Sequence, residues 1–97
     1  MTLATVDPQV LVDNEHTRTV RWTLPPGSAI GQHVHPLPYV VVPLVAGTLT
    51  FTDAAGDREV TLTPGTATYR PAGIDHDVSN RSGATVDFIE LEVRPAG

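Results

Sequence analysis

The stretch GTATYRPAGIDHDVSN, Gly65 to Asn80, decides how the chain reads. Pro64-Gly65 opens it as a turn, and Gly65 supplies a position where positive φ costs nothing. Thr68 and Arg70 then alternate with Ala67 and Tyr69, as a short strand requires. Pro71 and Gly73 make a second turn that aims His76 back toward the interior. Asp75 and Asp77 flank His76 and point to the opposite face in a strand, so they read as surface charge, with a supporting contact to a ligand shell as the alternative. Asn80 closes the stretch, placed to bond the backbone of the following Asn80-Arg81-Ser82-Gly83 turn.

The rest of the chain is written in the same style. Val, Thr and Ile make up 29 of its 97 residues, which favours pleated strands over helices. Nine prolines and eight glycines cut it into pieces shorter than an average helix. Val20, Trp22 and Leu24 alternate with Thr19, Arg21 and Thr23, and Val60 and Leu62 alternate with Thr61 and Thr63. Ile89, Leu91 and Val93 alternate with Phe88, Glu90 and Glu92. Tyr39 to Val45 is a continuous apolar run, expected as a strand covered on both faces. Turn signals between these runs, Gly47 among them, give the spacing of a sandwich or barrel. The expected organisation is one domain over residues 1–97, with a core from about 10 to 95 and residues 1–8 as an edge strand or loose terminus.

Composition excludes several chemistries. All six basic residues are Arg, so no lysine is present for Schiff-base or general-base work. The absence of cysteine excludes disulfides, thiolate metal sites and thiol nucleophiles. A net charge of -5 with scattered arginines makes a poor phosphate-backbone binder, so no nucleic-acid partner is expected. No apolar run reaches the ~18 residues of a membrane span. The first residues carry neither a basic nor an apolar leader region. These features read as a cytoplasmic protein with no membrane partner.

His33 and His35 are two residues apart after the Pro25-Pro26-Gly27 turn, so a strand places both imidazoles on one face, where they can chelate a divalent metal. His16 sits in a polar stretch and reads as exposed. Spacing ties the pair to His76. Gly27, five residues, His33, one, His35, four, Val40, six, Gly47 resembles the first signature motif of the cupin superfamily, G-x5-H-x-H-x3,4-E-x6-G. Gly65, five, Pro71, one, Gly73, two, His76, three, Asn80 reproduces the second motif in full. At ordinary residue frequencies such a match arises by chance with a probability on the order of 10⁻⁵.

The resemblance implies an all-β, antiparallel jelly-roll barrel with a metal held inside by His33, His35 and His76. It also exposes a departure. The first motif's glutamate, usually the fourth ligand, is replaced by Val40, and neither Tyr39 nor Val41 restores a carboxylate. Three neutral imidazoles accept Fe, Mn, Ni, Zn or Cu, with Fe the first choice among them. A centre without a carboxylate keeps its full positive charge and open positions, which favours an anionic or chelating ligand.

Arg70 stands where related barrels carry an inward apolar residue, so its guanidinium is expected inside, as an anchor for a substrate anion or in an ion pair with Asp87, Glu90 or Glu92. Val40 and Trp22 are the other expected substrate contacts, Trp22 as core or pocket wall. Tyr39 is a candidate proton donor, but strict alternation from Val40 turns it outward, toward packing or a subunit interface. The expected function is a metal-dependent enzyme acting on a small anionic or chelating metabolite, an Fe(II) dioxygenase first. A redox-neutral isomerase or lyase and a non-enzymatic small-molecule-binding module are the alternatives. A homodimer is expected, because the apolar face of the last strand and an apolar early strand call for burial.

Overall fold

A computed structural model describes residues 3–95. Eleven strands follow in order: β1 (Ala4–Thr5), β2 (Gln9–Asp13), β3 (Thr17–Leu24), β4 (Ser28–Ala29), β5 (His33–Val34), β6 (Tyr39–Pro43), β7 (Gly47–Asp53), β8 (Gly56–Leu62), β9 (Thr68–Arg70), β10 (Asp75–Asn80) and β11 (Val86–Val93). They form two sheets. One runs β1-β4-β10-β7-β8 with β5 also on β10; the other runs β2-β3-β11-β6-β9. Pairing is antiparallel apart from β1 on β4. This is the jelly-roll barrel expected from the motifs. No helix among the described residues is long and apolar enough to cross a membrane.

Period-two alternation explains the core. Val20, Trp22 and Leu24 of β3 turn inward and meet Val86 and Phe88 of β11, Val41 of β6, and Leu49, Phe51 and Val78 of the opposing sheet. The outward side chains of β3 are polar, and one of them ties the two strands: Arg21 Nε donates to Asp87 Oδ1 at 2.9 Å.

Two expectations are corrected. The run from Tyr39 to Val45 is not one strand covered on both faces: the strand ends at Pro43, and Leu44 and Val45 form an exposed turn that starts with Leu44 N–H donating to Asp87 O. Pro43 supplies no N–H to prolong the ladder. Gly47 is required for a reason other than turn conformation. A Cβ there would lie 2.8 Å from Val86 Cγ2, so the two sheets approach too closely at that point for any side chain.

Asn80 is 0 % exposed and ties the barrel end together. Its Nδ2 donates to Leu24 O and Ala84 O, each at 2.8 Å, and its Oδ1 accepts from Ser82 N–H at 2.9 Å and Ser82 Oγ–H at 2.6 Å. Removing this side chain strands a buried carbonyl and a turn together. Asn80→Ala is expected to cost about 3 kcal/mol of unfolding free energy in urea denaturation, against under ~0.5 kcal/mol for Arg81→Ala on the exposed side of the same turn.

Candidate metal centre

The site is assembled at the far end of β10 from Asn80. Gly31, with φ of +99°, breaks one long strand into β4 and β5. The first piece pairs Ser28 and Ala29 with Asn80 and Ser79; the second pairs His33 and Val34 with His76 and Asp75. Directly paired residues share a sheet face, so His33 and His76 point the same way. His35 follows by alternation. Its N–H donates to Ile74 O at 2.9 Å, and its carbonyl accepts from Gly73 N–H at 2.7 Å, so the Pro71–Gly73 turn locks it in place.

The three imidazoles converge through their Nε2 atoms, at 2.8 Å between His33 and His35 and 3.2 Å between His35 and His76. All three ligand atoms lie within 4.8 Å of one another. Ligands at about 2.1 Å from a shared metal stand about 3.0 Å apart at right angles and about 3.4 Å at the tetrahedral angle. The trio therefore has the spacing of a ligand set. His33 Nδ1–H donates to Gly31 O at 2.6 Å, which leaves the Nε2 lone pair directed inward. Gly31 N–H in turn donates to Asp77 Oδ1 at 3.1 Å. Asp77 thus supports His33 through the backbone of Gly31, while Asp75 accepts from exposed Gln32. His16 is exposed, as its polar surroundings indicate.

Burial holds the His35 and His76 imidazoles neutral. His35 is pushed down to about 4 by desolvation first and by the neighbouring histidines and Arg70 after it. His76 falls to about 4 by desolvation, then His33 and Arg70. Neutral, lone-pair-in imidazole is the state that binds zinc, iron, nickel or copper.

Tyr39 faces inward, against its expected outward direction. It is 1 % exposed and stacks on His35, with ring centroids 4.0 Å apart and planes at 24°. Val40 faces out beside Tyr69 and Leu91, so it is not a pocket residue. Pro36 and Pro38 shift the parity between His35 and β6, so three residues rather than four separate His35 from the inward position. The Tyr39 hydroxyl is buried without a protein partner and is pushed up to about 12, chiefly by burial.

Arg70 does turn inward, opposite Tyr39. Its guanidinium lies 4.9 Å over the Phe51 ring, and its Nε is buried without a protein partner. The expected ion pairs with Asp87, Glu90 or Glu92 are absent among the described residues: Asp87 bonds Arg21, Glu92 lies 3.5 Å from Arg18, and Glu90 bonds Trp22.

A cavity of about 290 Å³ opens beside His33 and His35, walled by Val20, Trp22 and Ile30 and by the polar trio Arg18, Glu90 and Glu92. Trp22 is a wall residue as expected, and its Nε1–H donates to Glu90 Oε1 at 2.8 Å. The sequence names Glu90 only as one of three acidic candidates to pair with Arg70, with no place in the cavity. The signal was its parity with Phe88, but only the pairing of Glu90 with Val20 and Val41 shows that this face is the inner one.

Fold and ligand geometry together define a cupin. The family model described as cupin domain matches residues 20–92, and the chain belongs to that family. It is 42% identical over 87 residues to the β-alanine degradation protein BauB of Pseudomonas aeruginosa, covering 90% of this chain and 92% of that protein. The crystal structure of a cupin domain from Bordetella pertussis Tohama I superposes with a TM-score of 0.93 at 36% identity, covering 98% of this chain and 99% of that one. An RmlC-like cupin of double-stranded β-helix fold from Methanocaldococcus jannaschii gives a TM-score of 0.77 at 18% identity, over 91% and 79% of the two chains. At that identity the likeness concerns the fold alone.

Proposed function

We propose that the protein is a metal-dependent enzyme acting on a small anionic or chelating metabolite, an Fe(II) dioxygenase in the first instance. The observation that carries this reading is the convergence of three imidazoles, two of them buried, through Nε2 with no carboxylate in the set. His33, His35 and His76 would hold one divalent transition metal, Fe before Mn, Ni, Zn or Cu. Such an ion supplies Lewis-acid activation of a substrate oxygen and open positions for O₂. The chain's own residues do the rest: Trp22 and Val20 exclude water, and Tyr39 fixes the His35 ring by stacking. Arg70, a cation without a carboxylate partner among the described residues, adds positive potential to the barrel interior. The relative's name associates that protein with β-alanine degradation, which supports a small carboxylate-bearing metabolite as the substrate class.

The test is oxygen uptake by the Fe(II)-loaded protein against a panel of diketones, thiols, amino acids and keto acids. Stoichiometric O₂ consumption with one class is the expected result. Arg70→Met should then raise KM about tenfold with kcat little changed, as loss of a charged anchor does. Turnover without O₂ uptake would replace the dioxygenase with redox-neutral chemistry, and binding without turnover would replace the enzyme with a binding module.

The reading places the protein in the cytoplasm as a homodimer. Support for the dimer comes from the outer face of the β2-β3-β11-β6-β9 sheet, where Val40, Val42, Ile89, Leu91, Val93 and Tyr69 form an apolar surface and Tyr69 is 65 % exposed. Light scattering at micromolar concentration should return about twice the 10.3 kDa chain mass. A monomer would refute it.

A further inference from the structure

We propose that Glu90 is the recognition element for an ammonium group, so that the cavity takes a small zwitterion such as a short amino carboxylate, its oxyanion end toward the histidine triad and its nitrogen on Glu90. The oxyanion end rests on the metal-dependent reading above; the ammonium end does not.

Three observations carry the proposal. First, Glu90 is 8 % exposed and faces the same cavity as His33 and His35. Its Oε1 is engaged by Trp22 Nε1–H, and its Oε2 has no protein donor among the described residues. Second, no cation reaches Glu90 within ion-pair distance among the described residues, and Arg70 and Arg18 act on it only from farther away. Glu92, the other carboxylate of the cavity wall, is compensated by Arg18 at 3.5 Å, and Asp87 on the outer face of the same strand is compensated by Arg21. Glu90 is the carboxylate left without a contacting cation. Third, the cavity is dipolar. Two imidazoles of the set, His33 and His35, line it and would become strongly positive on metal loading, and its wall offers a carboxylate oxygen of Glu90. A cavity of about 290 Å³ lies at the small end of ligand pockets and has room for a short amino carboxylate. A wholly anionic ligand would meet the Glu90 charge at close range; a zwitterion meets an opposite charge at each end.

The energetics agree. Burial pushes the Glu90 carboxyl up to about 7, the Glu92 charge adding to the rise and the Trp22 donor, Arg70 and Arg18 opposing it. A buried carboxylate with one neutral donor is poorly solvated. An incoming ammonium supplies the charge-assisted hydrogen bond that the protein withholds, and the ionised form is restored by the ligand. The proposal therefore explains why an ionisable group is kept among Val20, Trp22 and Val41, beyond the Arg18–Glu92 pair that shares its face.

The test is titration calorimetry at pH 8 on the zinc-loaded protein, zinc being redox-inert, with two matched pairs: 3-aminopropionate against propionate, and 4-aminobutyrate against butyrate. At least one amino member should bind about tenfold or more tightly than its des-amino partner. Glu90→Gln, which keeps an oxygen acceptor for Trp22, should remove that preference by weakening the amino members, while the des-amino members, relieved of the Glu90 charge, bind at least as tightly as to the wild type. Equal affinity within both pairs for the wild-type protein overturns the proposal without any variant. So does a Glu90→Gln variant that weakens both members alike. Ethylamine titrated into the metal-free protein, wild type against Glu90→Gln, tests the ammonium end alone. Failure to take up zinc would therefore count against the metal reading and leave the amine comparison to decide this one.

Discussion

Titrated with Zn(II) or Co(II) after purification without a polyhistidine tag, the protein should take up one equivalent of metal and His76→Ala less than a tenth. The thermal shift should be large. A ligand at a thousand times its Kd stabilises a fold by about 4 kcal/mol, and for a domain of this size that raises Tm by about 15 °C or more. The argument is geometric. His33 Nε2 is directed inward by the bond from Nδ1–H to Gly31 O, and His35 is held by its backbone bonds to Ile74 and Gly73. Little ordering is left to oppose binding. His76 is paired across the ladder with His33, and its loss removes one of three donors while the backbone bonds that hold His33 and His35 remain. The quantity to read is the metal-dependent increment in Tm, which separates ligation from any change in the apo fold. An increment in His76→Ala equal to that of the wild type would refute the triad as the site.

The second large effect is on the pH dependence of the metal-free protein, where two kinds of buried group oppose each other. His35 and His76 sit at about 4 in the fold against an ordinary value of 6.5. Unfolding lets them take up protons, so the stability tied to their neutral forms is complete above about pH 6.5. It is lost as pH falls through the interval down to 4. Glu90 has the reverse sign. Its folded value of about 7 lies above its ordinary value of 4.5, so stability tied to its neutral form is complete below about pH 4.5 and is lost as pH rises through 7. The wild-type apo protein should therefore be most stable near pH 6 and weaker on both sides. Glu90→Gln removes the alkaline loss while preserving an acceptor for Trp22. At pH 8 it should be more stable than wild type by about 2 kcal/mol, and the two should converge by pH 4.5. Urea denaturation at pH 4.5, 6 and 8 checks both limbs. A Glu90→Gln protein less stable than wild type at pH 8 would show that the carboxylate supports the fold.

Much of this molecule was legible in its sequence, and the boundary has physical causes. The two turns around Arg70 and His76 are written in Pro and Gly, whose backbone restrictions are local, so Gly65 to Asn80 could be read without knowing its neighbours. His33 and His35 share a face because pleating alternates, and that too is local. Tyr39 was misassigned because alternation was carried across Pro36-Leu37-Pro38, where the chain leaves the strand and the count of two no longer applies. Val40 was misassigned with it. The place of Glu90 in the cavity lay beyond reach for a different reason. Which side of β11 faces inward depends on its pairing with β3 and β6, roughly 70 and 50 residues away, and no spacing rule within β11 encodes that choice. Gly47 belongs to the same class: its need is set by Val86, a neighbour in space and not in sequence.

β10 carries His76 near one end and Asn80 at the other, four residues apart on one face. A slip of this strand by one residue would turn both outward at once, and a slip of two would carry each about 7 Å from its partners. The metal trio and the buried amide knot are therefore joint hostages to a single register. Stoichiometric metal uptake by any variant of this chain thus doubles as a proofreading signal for correct strand alignment, available without solving its structure.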